Sequence, residues 1–199
     1  MKEKNKFWKN PPTKVTVIDK LFALTILRFF PEKVTPNQIT IFRFLSVPFV
    51  AALFLNDNYS WGTILFTISA LSDALDGALA RTRDQISEWG KMYDPLADKL
   101  LIGTAALLLI PKYLNLWIAV VILFIEMILI GAAYYLKNKG KIGTGANFWG
   151  KSKMFCESFG VGFILLFALT GIPSVLIISQ LLLYAAIIFA IVSLITYSI

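Results

Sequence analysis

Six long apolar segments, separated by short polar connections, limit what this chain can fold into. An apolar run of about 20 residues can cross the hydrocarbon core of a bilayer as an α-helix, which satisfies its own backbone hydrogen bonds there. Hydrophobic residues make up 57% of the chain, whereas a soluble domain usually holds about 45–50%. The sequence therefore predicts an all-α integral membrane protein with six transmembrane helices. The predicted spans are residues 36–56, 61–81, 89–110, 114–136, 153–169 and 173–197.

The chain before the first span is basic and amphipathic. Residues 1–34 hold eight of the chain's 19 Lys and Arg residues. Ile18, Phe22 and Phe29 recur at helical spacing, so we predict an amphipathic helix that lies in the membrane interface. Basic side chains in that position suit anionic lipid headgroups better than nucleic acid. The chain thus divides into this N-terminal segment and a six-helix domain, residues 35–199.

The cations of the connections are unevenly distributed between the two sides of the membrane. On one side, the connections at 56–60 and 170–174 hold no Lys or Arg, and the one at 111–115 holds Lys112 alone. The positive-inside rule therefore places both termini, and the connection between the second and third spans, in the cytoplasm. We expect a multi-pass protein of the cell (inner, cytoplasmic) membrane. Besides the N-terminus, the basic side carries Arg81, Arg83, Lys91, Lys137, Lys139, Lys141, Lys151 and Lys153.

Four aspartates lie where the second span ends and the third begins. Asp73 and Asp76 are three residues apart on the second span. Asp94 and Asp98 are four apart on the third, and both spacings put a pair on one helix face. Because the two helices are antiparallel neighbours joined by a short loop, the pairs can face one another. A carboxylate at membrane depth marks a functional site by default, and several together need a cation to stay ionised.

The composition restricts that cation to a hard metal ion. The chain has no histidine and a single cysteine, Cys156, which excludes a His-ligated zinc site and a histidine general base. Oxygen ligands favour Mg²⁺, Mn²⁺ or Ca²⁺. A divalent ion that bridges carboxylates and phosphate oxygens is common in phosphoryl transfer. Arg81 can bind a phosphate with its fork of donors.

Two other interpretations of the aspartates stay open from the residues alone. Single aspartates can cap helices or pair with nearby cations such as Arg83, Lys91 and Lys99. A cation or proton transporter also carries intramembrane carboxylates, but it needs them spread through the bilayer depth and beside broken helices. Here they cluster on one side and the other spans are almost uncharged, which favours an enzyme.

The aspartates belong to a longer motif with fixed spacing. This motif resembles the complete signature of the CDP-alcohol phosphatidyltransferases, and every signature position is filled. The resemblance implies a metal-dependent enzyme of phospholipid biosynthesis, and it suggests a homodimer. Such an enzyme moves a phosphatidyl group from a CDP-linked lipid, usually CDP-diacylglycerol, to an alcohol and releases CMP. The motif reads Asp73-x2-Asp76-Gly77-x2-Ala80-Arg81-x8-Gly90-x3-Asp94-x3-Asp98.

The resemblance also implies a role for each motif residue. Asp73, Asp76 and Asp94 would ligate one or two Mg²⁺ or Mn²⁺ ions. Asp98 would act as general base on the acceptor hydroxyl while also contacting a metal ion. No protein nucleophile is evident, so we expect direct transfer rather than a covalent enzyme intermediate. The CDP-lipid pocket would be lined by Gly77, Ala80, Arg81 and Gly90.

Three further stretches resemble one branch of the family, the bacterial phosphatidylglycerophosphate synthases. They are residues 35–43, 94–101 and the Gly-Lys-Ser-Lys element at 150–153. This likeness implies glycerol-3-phosphate as the acceptor alcohol. Asn37 and Thr40 would then join the CDP-lipid pocket, although either could simply cap the first helix. The acceptor pocket would include Arg43, Lys151, Lys153 and Glu126, although the two lysines could simply be interfacial anchors.

The fourth span departs from that branch. Its members usually carry an Arg-Glu pair there, whereas this chain has Ile125 before Glu126. The missing arginine weakens the case for glycerol-3-phosphate and leaves inositol phosphate, serine, inositol and phosphatidylglycerol as other acceptors. Glu126 is either an acceptor-site residue or the partner of a nearby Lys or Arg.

Overall fold

A computed structural model describes residues 34–83, 85, 87–138 and 148–197. Over these residues the chain forms six α-helices, which confirms the all-α class. The predicted amphipathic helix of the N-terminal segment lies outside the described residues. The helices are α1 (Pro36–Leu55), α2 (Tyr59–Thr82), α3 (Glu88–Tyr113), α4 (Leu116–Asn138), α5 (Phe148–Thr170) and α6 (Pro173–Tyr197).

Local signals explain where α1 begins. Pro36 occupies its first position, where a missing N–H costs no helical hydrogen bond. The backbone N–H of Thr35 donates to Gln38 Oε1 at 3.0 Å, which is one arm of a capping box. The helix start is therefore capped by Gln38 and not by Asn37 or Thr40, whose side chains have other partners.

Comparable signals mark the other connections. The Oδ1 atoms of Asn58 and Asn115 accept backbone N–H groups in the first turns of α2 and α4, at 3.4 and 2.9 Å. Gly171 follows α5 with φ at +68°, a left-handed conformation that glycine adopts freely. Pro173 then starts α6. These residues end each helix at about the length that is needed to cross a bilayer.

The link between α1 and α2 also carries a charged contact. Asp57 has φ at +56°, and its carboxylate pairs with Lys112, at the end of α3. The hydrogen bond from Lys112 is the main cause that lowers the pKa of this exposed carboxyl. The Lys112 ammonium also lies 5.0 Å from the centre of the Tyr59 ring, a cation–π arrangement.

Four of the six helices are long and apolar enough to cross a membrane by length and composition: α1, α2, α5 and α6. Among the described residues α4 has a shorter apolar part, Leu116–Ala132, and α3 carries Asp94, Asp98 and Lys99 in its first half. Large apolar side chains such as Trp117 are exposed over most of their surface, as lipid-facing residues are. These features are compatible with a multi-pass membrane protein.

The chain divides into two compact units. One comprises residues 1–46 and 67–99, the other 47–66 and 100–199. In the described part of the first unit, Ile39, Ala78 and Leu79 form a buried apolar cluster, and this unit contains all four aspartates. In the second unit α5 and α6 approach closely at a glycine, where the Ser179 hydroxyl donates to the Gly160 carbonyl at 2.8 Å.

Candidate active site

The predicted aspartates lie on two helices of the first unit. Asp73 and Asp76 occupy successive turns of α2, and Asp94 and Asp98 occupy successive turns of α3. The side chain of Asp73 keeps 49% of its surface exposed, whereas that of Asp76 keeps 3%. The charges of Asp73 and Asp94 both act on Asp76. Carboxylates of the two helices are therefore close together, as their spacing predicts.

Arg43 of α1 contacts both aspartates of α2. Its Nη1 donates to Asp73 Oδ1 at 2.9 Å, and its Nη2 donates to Asp76 Oδ2 at 2.8 Å. Its Nε donates to the Ser69 carbonyl oxygen at 3.3 Å and to the Ser72 hydroxyl at 3.4 Å. The side chain has no exposed surface. The sequence predicts that Arg43 binds the acceptor because of its charge. In the structure, its guanidinium contacts the carboxylates of Asp73 and Asp76 instead.

Thr40 connects α1 to α3. Its hydroxyl lies 2.6 Å from Asp94 Oδ1 and 3.3 Å from the Pro36 carbonyl oxygen. The shorter contact is a charge-assisted hydrogen bond, which is stronger than one between neutral groups. Thr40 is fully buried, so its hydroxyl holds one oxygen of Asp94 in place.

Gly90 lies where three polar side chains meet. A Cβ atom added there would lie 3.1 Å from Ser87 Oγ, 3.3 Å from Asp94 Oδ2 and 3.4 Å from Asn37 Oδ1. Ser87 Oγ accepts the Gly90 backbone N–H at 2.9 Å and donates to Asn37 Oδ1 at 2.7 Å. Ser87 therefore caps α3 and joins it to α1. The structure thus brings Asn37, Gly90 and Asp94, all predicted site residues, to one point.

Gly77 and Arg81 lie together on the turn of α2 that follows the aspartates. A Cβ atom on Gly77 would come within 3.3 Å of both terminal nitrogens of Arg81. The guanidinium therefore lies over bare backbone, and a larger residue at position 77 would push it away. Ala80, the other predicted residue of this helix end, is half-buried.

The remaining predicted residues belong to the second unit. Lys153 of α5 pairs with Glu126 of α4, and at 2.8 Å with Glu157, one turn further along α5. The side chain of Lys153 keeps 6% of its surface exposed and that of Glu157 keeps 9%. Glu126, whose role the sequence left open, is thus an ion-pair partner of Lys153. Lys151 is exposed.

Three residues of these networks were missed by the sequence reasoning. Ser87 carries a usable signal, because a serine just before a predicted helix is a preferred N-cap. Glu157 follows Lys153 by four residues in an apolar span, a spacing that pairs opposite charges. Ser72 carries no such signal, because serine is also common where membrane helices simply pack.

The donor atoms of the site suit a hard divalent ion. The side chains of Asp73, Asp76 and Asp94 offer oxygen alone, and Arg43 neutralises only part of their charge. In the part of the chain that the structure describes, no three acidic or other ligand side chains converge closely enough to enclose an ion. The chemistry of the donor set fits a divalent metal, and Arg43 holds one oxygen each of Asp73 and Asp76.

Apolar helices of membrane-spanning length and a carboxylate cluster at the ends of two of them define a helical membrane enzyme. A family model described as CDP-alcohol phosphatidyltransferase matches residues 33–192. The match covers most of the chain and the whole of the aspartate site. The chain therefore belongs to the CDP-alcohol phosphatidyltransferase family.

Named relatives agree with this membership. The chain is 31% identical to a CDP-diacylglycerol--glycerol-3-phosphate 3-phosphatidyltransferase of Bacillus subtilis, over 79% of this chain and 90% of the relative. It is 29% identical to a protein of the same name from Rickettsia prowazekii, over 78% of this chain and 88% of the relative. It is also 32% identical to a cardiolipin synthase (CMP-forming) of Streptomyces coelicolor, over 66% and 64% of the two chains.

Proposed function

We propose that this enzyme transfers the phosphatidyl group of CDP-diacylglycerol to glycerol-3-phosphate and releases CMP, in a reaction that requires Mg²⁺ or Mn²⁺. The observation that carries the proposal is the aspartate site of α2 and α3 in a chain of this family, where Arg43 contacts Asp73 and Asp76 and Thr40 contacts Asp94. The names of the relatives from Bacillus and Rickettsia support glycerol-3-phosphate as the acceptor.

The residues have distinct tasks in this reaction. Asp98 accepts the proton of the acceptor hydroxyl, whose oxygen bonds to the phosphorus that carries the diacylglycerol. The bond from that phosphorus to the bridging oxygen breaks, and CMP leaves with the electron pair. Asp73, Asp76 and Asp94 would hold the metal, and the metal would supply positive charge to neutralise the diphosphate and the departing CMP.

The CDP-lipid is proposed to lie along the ends of α1, α2 and α3. Arg81 pairs with the diphosphate, and the absence of a side chain at Gly77 supports this role because it leaves space for the guanidinium at this end of α2. Gly90 lets Asn37 and Asp94 approach each other closely, and the nucleotide is proposed to lie beside these residues and Thr40. Ala80, with its small side chain, leaves room for the CDP-lipid at the same end of α2 as Arg81.

The proposed acceptor pocket includes two lysines that differ in their surroundings. Lys151 is exposed, so its ammonium can meet the phosphate of a soluble acceptor. Lys153 is already compensated by Glu126 and Glu157, so a phosphate that binds there must displace a carboxylate. The contacts therefore support Lys151 more strongly as a phosphate ligand, and Lys153 with Glu126 as a support for the pocket wall.

We also propose six membrane spans, a homodimer, and termini and active site that face the cytoplasm of the cell membrane. The excess of Lys and Arg on one side of the chain supports the orientation. The basic N-terminal segment supports contact with anionic lipids rather than with nucleic acid. Cysteine labelling from either side of sealed vesicles, with Cys156 replaced, would test the span count.

The substrate assignment is tested with purified protein, CDP-diacylglycerol and Mg²⁺ or Mn²⁺. CMP release and the lipid product are measured with glycerol-3-phosphate, inositol phosphate, serine, inositol and phosphatidylglycerol in parallel. We expect rapid CMP release with glycerol-3-phosphate and none after chelation of the metal. Turnover with phosphatidylglycerol alone would move the assignment to the reaction named for the Streptomyces relative. Ion flux in proteoliposomes without CMP release would support a transporter instead.

A further inference from the structure

We infer that Arg43 is a positioning residue that holds the metal-binding aspartates of α2 and thereby sets the affinity of the site for its divalent ion. The inference rests on the proposed metal dependence. It assigns to Arg43 a task different from the acceptor binding that its charge alone suggested.

Burial shows that Arg43 has a fixed place. Its side chain has no exposed surface, and it is among the largest fully buried side chains of the described residues. A buried guanidinium is stable only when its charge is paired and its N–H groups are hydrogen-bonded. Among the described residues α2 supplies those partners, so the arginine cannot turn away from that helix without losing them.

The partners of Arg43 lie on a single face of α2. They are Ser69, Ser72, Asp73 and Asp76, spaced as a helix repeats along one side. All three guanidinium nitrogens take part. A planar fork that is engaged at every nitrogen fixes the separation and the direction of the two carboxylates at once.

Each carboxylate gives Arg43 one oxygen. Asp73 uses Oδ1 and Asp76 uses Oδ2, so each carboxylate has a second oxygen that can turn toward an ion. Asp94 adds a further negative charge close to Asp76, and its Oδ1 is held by Thr40. Two carboxylates on one guanidinium, with the charge of Asp94 close to Asp76, keep an excess of negative charge, so Arg43 can order its two aspartates without cancelling the attraction for a cation.

The alternative is that Arg43 occupies the place of the metal and competes with it. The two possibilities predict opposite changes in metal affinity when Arg43 is replaced. Removing a residue that orients metal ligands weakens the metal affinity, typically about 10–100-fold. Removing a competing cation would strengthen the affinity.

The test measures Mn²⁺ binding by electron paramagnetic resonance on purified protein without CDP-lipid. Arg43→Gln should weaken binding about 10–100-fold. Arg43→Lys should fall between, because an ammonium keeps the charge but lacks the planar fork of donors that fixes the directions of both carboxylates. If Arg43→Gln does not yield a monodisperse sample, Arg43→Lys decides the matter. The control is Ser46→Ala, because Ser46 is buried on the same helix and contacts the Arg43 backbone carbonyl but neither aspartate.

The outcomes separate this inference from the proposed function. Unchanged or tighter Mn²⁺ binding by both Arg43 variants overturns the inference and leaves the metal site intact. A lower melting temperature with unchanged affinity means a purely structural arginine and also overturns it. Absence of Mn²⁺ binding by the wild-type protein overturns the proposed metal site together with the inference. An equal loss in Ser46→Ala overturns the specific role of Arg43.

Discussion

Replacing Lys153 with methionine would remove the ammonium that contacts two carboxylates, the buried Glu157 and the half-buried Glu126. Lys153 joins α4 to α5 through Glu126 and binds Glu157 within α5. Methionine keeps the length and apolar character of the lysine stem but removes the ammonium. The variant therefore tests whether this triad holds the second unit together, apart from any part that Lys153 has in acceptor binding.

The expected loss of stability follows from the burial of the triad. Breaking a buried ion pair by removing one partner costs about 3–5 kcal/mol, because the other charge stays in a poorly solvated place. Glu157 keeps 9% of its side-chain surface exposed and Glu126 keeps 19%, so Glu126 can relax toward solvent more easily. With about 2–4 °C per kcal/mol for a chain of this length, the melting temperature should fall by roughly 6–20 °C.

A thiol-reactive fluorophore can measure this loss, because the chain has one cysteine and Cys156 is buried. Lys151→Met serves as the matched control, since Lys151 is exposed two residues away, and it should melt like the wild type. The triple variant Lys153→Met/Glu126→Gln/Glu157→Gln should recover most of the loss, because it leaves no charge unpaired. A melting temperature of Lys153→Met equal to that of the wild type would refute the reasoning.

Two further predictions concern the reaction and the packing of the helices. Asp98→Asn should lower turnover by about 10²–10⁴-fold, because it removes the proposed general base. CDP-lipid binding, measured by equilibrium methods, should stay near wild type. Retained turnover would mean that Asp98 is not the general base. Gly160→Ala should destabilise the protein by about 1–3 kcal/mol, because its new Cβ atom would lie 2.8 Å from Leu183 Cδ2. In thermal melts Gly162→Ala is the control, since nothing lies within 4 Å of its added Cβ atom. Equal melting temperatures of the two variants would contradict the close approach of α5 and α6 at Gly160.

The helices were largely predictable because their signals are local. An apolar run and its polar ends determine the bounds of a helix within a few residues, as for α3, which is predicted at 89–110 and observed as a helix at Glu88–Tyr113. The start of α5 was predicted later than observed, at 153 rather than Phe148. The predicted span begins at the lysines, but a helix can continue through charged residues once it leaves the hydrocarbon core.

The aspartate site was predictable in part for the same reason. The spacing of Asp73 and Asp76 along one helix, and the short connection to the helix of Asp94, need no knowledge of the rest of the fold. The motif they belong to also pointed to the family that the comparisons show. Sequence alone thus determined the helical membrane class, the family and the two helices that carry the carboxylates.

The tertiary structure decided which charge pairs with which. Arg43 is 30 residues from Asp73 in the chain, and Glu126 is similarly remote from Lys153. Helical periodicity tells which residues share a face, but it does not tell which helix that face will meet. Packing brought Arg43 into contact with the aspartates and Glu126 into contact with a lysine, because a buried charge in an apolar bundle is stable only beside a partner.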